Sequence, residues 1–266
     1  MIRLEYRDVT MRFADASGRA KVTAIEGVSF AVADGEVVAL IGPSGCGKST
    51  LLNIGSGLYA PSCGEARVDG ERVQGPNSHV AFMLQKDLLL PWRTIAENVA
   101  LGVEIQRRPQ AECARRAREL LGSLNLADFS HRYPHQLSGG MRQRVALART
   151  LAVDPSVLLL DEPFSAVDAQ TRIALQHELA QTLKRSAKTA LLITHDLLEA
   201  VILSDRVLVM SARPGRIIDE MRIEIGHRDE PLRRRQDEKV ATYMARLMER
   251  LEIARPNGAR AALQGA

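Results

Sequence analysis

The nine residues from Gly42 to Thr50, GPSGCGKST, constrain this chain more than any other stretch. The apolar run Val37-Val38-Ala39-Leu40-Ile41 precedes them and is short enough to be a buried strand. Leu51-Leu52-Asn53-Ile54 follows and continues as a helix. Strand, glycine-rich loop and helix together are the setting that a phosphate-binding loop needs. Gly42, Gly45 and Gly47 let the backbone turn tightly and bring its N–H groups up to a polyphosphate, and the helix N-terminus adds favourable dipole charge. Lys48 supplies a mobile cation for the outer phosphates and Ser49 a hydroxyl for magnesium, with Pro43, Ser44, Cys46 and Thr50 as the other members of the loop. At a glycine frequency of ~7%, the four specified positions co-occur by chance in on the order of one per cent of chains this long, which weighs against a mere glycine turn beside an exposed lysine.

A chain of 266 residues holds one large α/β domain, or one domain with a small subdomain. Lys+Arg 36 against Asp+Glu 32 leaves a net charge of +4, too mild a balance to argue for nucleic acid. No apolar run approaches the ~18 residues of a membrane span. The stretch Met1-Ile2-Arg3-Leu4-Glu5-Tyr6-Arg7-Asp8 lacks the apolar core of a secretion signal. The three cysteines, Cys46, Cys63 and Cys113, show no CxxC spacing, so neither a disulfide framework nor a zinc site is expected, and a reducing cytoplasm fits. Cys46 sits inside the phosphate loop, either as a small filler or as a thiol that makes nucleotide binding oxidation-sensitive.

Ahead of the loop, Leu4-Glu5-Tyr6 and Val28-Ser29-Phe30-Ala31-Val32 alternate as antiparallel strands, with turn clusters at Asp15-Ala16-Ser17-Gly18 and Ala33-Asp34-Gly35. Phe13, in the first hairpin, is either core or a ring that stacks on a base. Pro61-Ser62-Cys63-Gly64 and Val68-Asp69-Gly70 punctuate a further strand pair, and Val80 to Leu84 is a buried strand ending at Gln85. The apolar stretch Leu88-Leu89-Leu90-Pro91-Trp92 reads as core or as a docking surface. Thr94 caps the next helix, and Glu97 completes a capping box. Gln110 to Leu126 is helical, with Arg115-Arg116 on a solvated face.

Gln136-Leu137-Ser138-Gly139-Gly140-Met141 opens another helix, capped by Ser138. Two glycines in a first turn cost helix propensity, which suggests that a phosphate comes close to the bare N–H groups of Gly139 and Gly140. That helix stops by Asp154-Pro155. Val157-Leu158-Leu159-Leu160 is a second buried strand, and it delivers Asp161 and Glu162 to the sheet edge where α/β proteins put their chemistry. There Asp161 helps hold magnesium, and Glu162 polarises an attacking water; the plainer alternative is two acidic helix-start residues. Leu175, Leu179 and Leu183 mark an amphipathic helix. Thr189 to Thr194 is a third buried strand, which carries His195 to the same edge. Asp205 to Ser211 and Ile217 to Ile225 form strands around the turn Arg213-Pro214-Gly215-Arg216. The arginines from Arg228 to Arg235 are a solvated linker or a contact for anionic lipid, followed by a helix with Val240, Tyr243, Met244, Leu247 and Leu251. From Arg255 the tail is small and polar.

In this order the motifs resemble those of the ATPase subunits of ABC transporters, over nearly all of the chain up to about residue 227. GPSGCGKST is similar to the Walker A loop, Gln85 to the Q-loop glutamine, LSGGMRQR to the ABC signature, and Val157 to Pro163 to Walker B with its catalytic glutamate. Ser165-Ala166-Val167-Asp168 resembles the D-loop, with Val167 where leucine is usual; His195 resembles the switch histidine, and Phe13 the adenine-stacking aromatic. LLLPWRTIAENVALGVE and SDRVLVMSARPGRIIDE further resemble segments of importers of nitrate, sulfonates and taurine, and related subunits for pyrimidine precursors and aromatic acids share them.

The resemblance implies an α/β P-loop NTPase core with an antiparallel β subdomain and an inserted helical signature subdomain. The ATPase domain would span residues 1–227, the helical insertion about 86–156, and a basic helical tail 228–266. It implies ATP and Mg2+ as cofactors, with Gln85 joining Ser49 and Asp161 at the metal and with Gln85, Glu162 and His195 in the catalytic set. Ser138, Gly139, Gly140 and Asp168 would meet nucleotide bound by a second ATPase subunit. The other partners implied are a transmembrane permease, docked on the segment from Gln85 to about Leu101, and indirectly a solute-binding protein, with the chain peripheral on the cytoplasmic face of the membrane. A soluble P-loop kinase leaves LSGGMRQR unexplained, DNA-repair members carry a long coiled coil that does not fit between Lys48 and Ser138, and translation members carry two modules. An export ATPase is the nearest competitor, and the Pro91-Trp92 segment favours import.

Overall fold

The computed structural model describes residues 1–14, 21–165 and 167–254. The turn expected at Asp15 to Gly18, Ala166 of the D-loop-like stretch and the tail from Arg255 lie outside the described residues. The chain opens with β1 (Ile2–Ala14) and β2 (Lys21–Ala33), then β3 (Val37–Ile41) and α1 (Lys48–Gly55). Next come β4 (Cys63–Val68), β5 (Glu71–Arg72) and β6 (Val80–Met83). Three helices, α2 (Ile95–Ile105), α3 (Gln110–Ser123) and α4 (Gly139–Ala152), separate β6 from β7 (Val157–Asp161). After them come α5 (Ala169–Arg185), β8 (Thr189–Ile193), α6 (Leu197–Leu203), β9 (Arg206–Met210) and β10 (Ile217–Arg222), and finally α7 (Pro231–Arg235) and α8 (Lys239–Ile253).

Two sheets result. The strands β2-β1-β4-β5 form an antiparallel sheet, and β10-β9-β3-β8-β7-β6 form a second sheet in which only β10 runs antiparallel. The central strands β3 and β8 are buried at every residue, as continuous runs of Val, Leu, Ile and Ala require when both sheet faces are covered. On one face α1 lies between the two sheets, its Leu51, Leu52 and Ile54 packed among Leu4, Tyr6, Val38, Leu159 and Leu191. The Tyr6 hydroxyl donates to Leu51 O at 2.8 Å, and full burial pushes that phenol's pKa up. A Cβ on Gly55 would stand 2.2 Å from the same hydroxyl, so glycine there is a packing requirement.

On the other face, α2, α3 and α4 share a core with β6, β7 and α5, through Ile95, Val99, Leu121, Val145, Leu158 and Leu179. Thr94 caps α2 with the expected reciprocal bonds to Glu97. The helix from Gln110 ends at Ser123, three residues short of the expected Leu126, although Leu124 and Leu126 stay buried.

The first hairpin is longer than its alternation predicts, thirteen residues in each strand, because bulges at four places along β1 absorb the breaks in pattern. The strand expected to reach Ile225 stops at Arg222. Within the arginine-rich stretch the structure departs from a solvated linker. Arg234 is buried and donates to the carbonyls of Ile202, Ser204 and Ile223, which anchors α7 on the end of α6. Its partners are main-chain oxygens far away in sequence, and burial brings its pKa down to about 10. Residues Val240 and Leu247 of α8 then share a core with Ile41, Val201 and Val209. Among the described residues, no helix is long and apolar enough to cross a membrane.

Candidate functional site

The parallel strands β3, β7 and β8 end side by side, and their C-terminal edge carries the polar residues singled out in the sequence. A cleft of ≈ 270 Å³ opens there, lined by Ser44, Gly45, Gly47, Lys48, Ser49 and Thr50 together with Glu162, Ile193 and Arg213. The loop that forms one wall is held by close packing. Gly47 adopts φ 107, and a Cβ on it would fall 2.4 Å from Ile25 Cγ2. Cys46 is buried beneath the loop, its Sγ 3.8 Å from Lys48 Nζ. The Lys48 ammonium donates to the carbonyls of Gly42, at 2.8 Å, and Pro43, at 3.1 Å, so it lies folded along the loop.

Opposite the loop, three expected residues meet on one oxygen. Gln85 Nε2 donates to Glu162 Oε2 at 2.9 Å, and His195 Nδ1 stands 3.3 Å from the same atom. Glu162 itself has φ 46, a strained value for a residue with a side chain, held by its N–H on Ile193 O and by Ser165, which donates twice to its carbonyl. Asp161, one residue earlier, is half-buried, and its pKa is raised by desolvation, with the adjacent Ser49 hydroxyl opposing and Glu162 reinforcing. Glu162 and the loop thus share the cleft, the Gln85 amide and the His195 imidazole meet on the Glu162 carboxylate, and Asp161 stands beside Ser49.

The remaining candidates lie elsewhere. Ser138 caps α4 by accepting from Met141 N, and Ser138 and Gly139 are exposed, but neither they nor Gly140 line the cleft. Gly140 has a reason for being glycine inside the chain as well, since a Cβ there would meet Thr171 Cγ2 at 2.4 Å. Asp168 caps α5 through Thr171 N, which also lowers its pKa, and it too is outside the cleft. Phe13 is partly exposed and packs edge-on against Tyr59. Within one chain the cleft and the glycine-rich start of α4 are therefore separate features.

Several supporting residues escaped sequence reasoning because their partners are remote. Arg149 of α4 donates to the carbonyls of Asp87 and Leu88, and Arg142 to Asp87 Oδ2 at 3.0 Å, so α4 grips the segment just after Gln85. Asn98 is fully buried; it accepts from Leu90 N and donates to Leu90 O, Arg93 O and Thr94 O, which orders the apolar stretch. In that stretch Leu89 is buried while Leu88 and Trp92 are 53% and 72% exposed. Arg116, expected on a solvated face, donates to the carbonyls of Leu151 and Ala152 at the end of α4. The buried pair Glu199 and Gln176 joins α6 to α5.

A family model described as ABC transporter matches residues 25–165. An uncharacterized ABC transporter ATP-binding protein of Methanocaldococcus jannaschii is 43% identical over 84% of this chain and 83% of its own length. A taurine import ATP-binding protein of Pseudomonas entomophila is 41% identical over 86% of each chain. Among solved structures, a dimeric ATP-binding cassette in a post-hydrolysis state, bound to ADP and Pi, superposes with a TM-score of 0.74 at 30% identity, covering 83% of this chain and 98% of that one.

Proposed function

The chain belongs to the ABC transporter ATP-binding family, and from that premise we propose that it drives uptake of a small anionic solute, of the taurine, sulfonate or nitrate kind, through a separate membrane permease. As a member it binds nucleotide and hydrolyses ATP. The observation that supports this mechanism is that the Ser138-Gly139-Gly140 helix start does not line the cleft of its own chain. Two copies placed head to tail about a two-fold axis bring the Ser138-Gly139-Gly140 helix start of each onto the phosphate cleft of the other. The N–H groups of that helix start then bind the terminal phosphate in trans.

Within the cleft, Lys48 leaves the Gly42 and Pro43 carbonyls for the outer phosphates. Glu162 accepts a proton from water in line with the γ-phosphate, and Gln85 and His195, which share its Oε2, orient it and register the phosphate's presence. The Ser49 hydroxyl, the Asp161 carboxylate and the Gln85 amide oxygen are hard donors of the kind magnesium takes. Among the described residues no group of three or more His, Cys, Asp or Glu makes a metal cage, so phosphate oxygens and water would complete the shell. When bound, Mg2+ neutralises developing phosphoryl charge. In this arrangement Asp168, which caps α5, would lie at the same seam, and the ring of Phe13, which packs on Tyr59, would stack on the adenine.

The domain division that goes with this reading is an ATPase body of residues 1–227 with the helical insertion at about 86–156, followed by residues 228–266. Exposed Leu88 and Trp92 form the contact for the permease, which holds the chain peripherally at the cytoplasmic membrane face, and a solute-binding protein delivers cargo from the other side. The test is ATP turnover by the chain reconstituted with its permease and solute-binding protein. Stimulation by taurine or another sulfonate supports the assignment. Turnover that rises only with an aromatic acid or a pyrimidine precursor replaces the solute, and a Lys48→Ala variant that still binds ATP normally removes the nucleotide site itself.

A further inference from the structure

The turn Arg213-Pro214-Gly215-Arg216 between β9 and β10 stands out in the sequence, and the mechanism above makes no use of it. It is wedged against the phosphate loop. Gly215 donates to Ala24 O at 2.9 Å and accepts from Glu26 N at 3.0 Å, and a Cβ on it would fall 2.0 Å from Cys46 O. Ser211 closes the turn from within, donating from its N–H to Arg216 O and from its hydroxyl to Pro214 O. The two arginines of this rigid turn are treated differently. Arg216 pairs with Glu26 at 2.5 Å, whereas among the described residues no carboxylate lies within 4.0 Å of Arg213. Arg213 instead lines the cleft beside Ser44, Lys48 and Glu162, and its Nη2 donates to Gly45 O at 3.2 Å.

We propose that Arg213 is a second phosphate-binding cation of the nucleotide cleft, one that trades the Gly45 carbonyl for a phosphate oxygen when a nucleoside triphosphate enters. Lys48 shows the same arrangement, a cation resting on loop carbonyls at the edge of the same cleft. A guanidinium has five donors in a planar fork suited to phosphate, and a neutral carbonyl is a weaker partner than a phosphate oxygen. The backbone bonds of Gly215 to Ala24 and Glu26 hold the turn beside the loop, so the Arg213 side chain starts within reach of the cleft. The inference rests on the cleft being the nucleotide site, as proposed above.

The test compares Arg213→Gln and Arg213→Lys with the parent chain in equilibrium titrations of ATP, ADP and AMP, read by displacement of a fluorescent nucleotide, alongside melting curves of the free proteins. Loss of one charge-assisted hydrogen bond should weaken ATP roughly tenfold in Arg213→Gln and leave AMP unchanged, while Arg213→Lys, which keeps the charge but not the planar fork, should restore part of the loss. Unchanged ATP affinity in Arg213→Gln overturns the proposal. So does an equal loss for AMP accompanied by a lowered melting temperature, which would make Arg213 a staple for the loop. A Lys48→Ala control keeps the two readings apart. If Lys48→Ala loses ATP and Arg213→Gln does not, only the role of Arg213 falls; if neither loses it, the nucleotide cleft falls first.

Discussion

Replacing Gly47 by alanine perturbs the phosphate loop at its tightest point. The new Cβ would lie 2.4 Å from Ile25 Cγ2 and 3.2 Å from Ala24 O, and the backbone there holds φ 107. That dihedral costs a residue with a side chain about 1–3 kcal/mol. Overpacking against a fully buried isoleucine adds about 1–3 kcal/mol more. If the loop stays in place, the total is about 4 kcal/mol, a drop in melting temperature of roughly 10 °C for a chain of this size. If the loop gives way instead, its N–H groups move by a fraction of an ångström to an ångström, which weakens ATP binding and slows turnover on the order of 100-fold.

The double variant distinguishes packing from dihedral strain. Ile25→Ala alone costs about 2–5 kcal/mol through its cavity, but it removes the clashing methyl and makes room for the new one. The two changes together should therefore cost about 2 kcal/mol less than their sum, measured by urea titration with ATP binding followed in parallel. Strict additivity would show that Ile25 does not confine the loop. Wild-type melting and binding in Gly47→Ala would refute the reasoning altogether.

Glu162→Gln should bind ATP with near-parental affinity yet turn it over about 10²–10⁴-fold more slowly, accumulating a nucleotide-bound dimer visible by size-exclusion chromatography; normal turnover would remove Glu162 from the base role. Glu199 is buried against Gln176, Thr194, Asp196 and Arg172, and desolvation raises its pKa above the ordinary 4.5. The folded chain thus holds this proton more tightly than the unfolded chain, so the contribution to stability is full below the unfolded value and is lost as pH rises through the folded one. Glu199→Gln keeps the shape and removes the titration, so its melting temperature relative to the parent should climb as pH rises above 4.5 and then level off; a pH-independent difference would count against it. Asn98→Ala breaks four hydrogen bonds of a fully buried amide and should cost about 3 kcal/mol in urea titrations, with increased amide exchange at Leu90 as the local signature.

What the sequence makes legible here is chemistry carried by local spacing. The phosphate loop, the Asp161-Glu162 pair after an apolar strand and the Thr94 capping box each need only neighbours in the chain to declare themselves. Ends of elements are less legible, since the bulges that lengthen the first hairpin depend on pairing with a strand tens of residues away. Least visible are polar residues whose partners are main-chain atoms on other elements. Arg234 reads as one more solvated arginine, yet it closes three carbonyls of α6 and the segment after β10. Arg149 and Asn98 are of the same kind, as is Arg213, which only the packing of Gly215 beneath Cys46 brings to the cleft. Gly140 carries a further lesson. A glycine that costs helix propensity invites a ligand-based explanation, and here Thr171 supplies an intramolecular one beside it.

The proposed closure of the site between two chains also bounds the energy a nucleotide must supply. Moving a pair of chains from 1:99 to 99:1 in favour of the closed arrangement takes about 5.5 kcal/mol. Shared between two nucleotides, that is a preference of roughly 100-fold, or about 2.7 kcal/mol, for each. Hydrogen bonds from charged or oriented donors to a phosphate contribute about 1.5–3 kcal/mol apiece, so on that proposal one or two such bonds from the start of α4 would suffice without any further contact between the chains. On the proposed reading, hydrolysis assisted by Glu162 would remove the phosphate that those donors bridge, and the same few kilocalories would be withdrawn. A large apolar dimer interface would defeat this cycle by holding the chains together after hydrolysis. On the proposed reading, a helix start with exposed Ser138 and Gly139 would therefore be a fitting surface for a closure that must be reversed at every turnover.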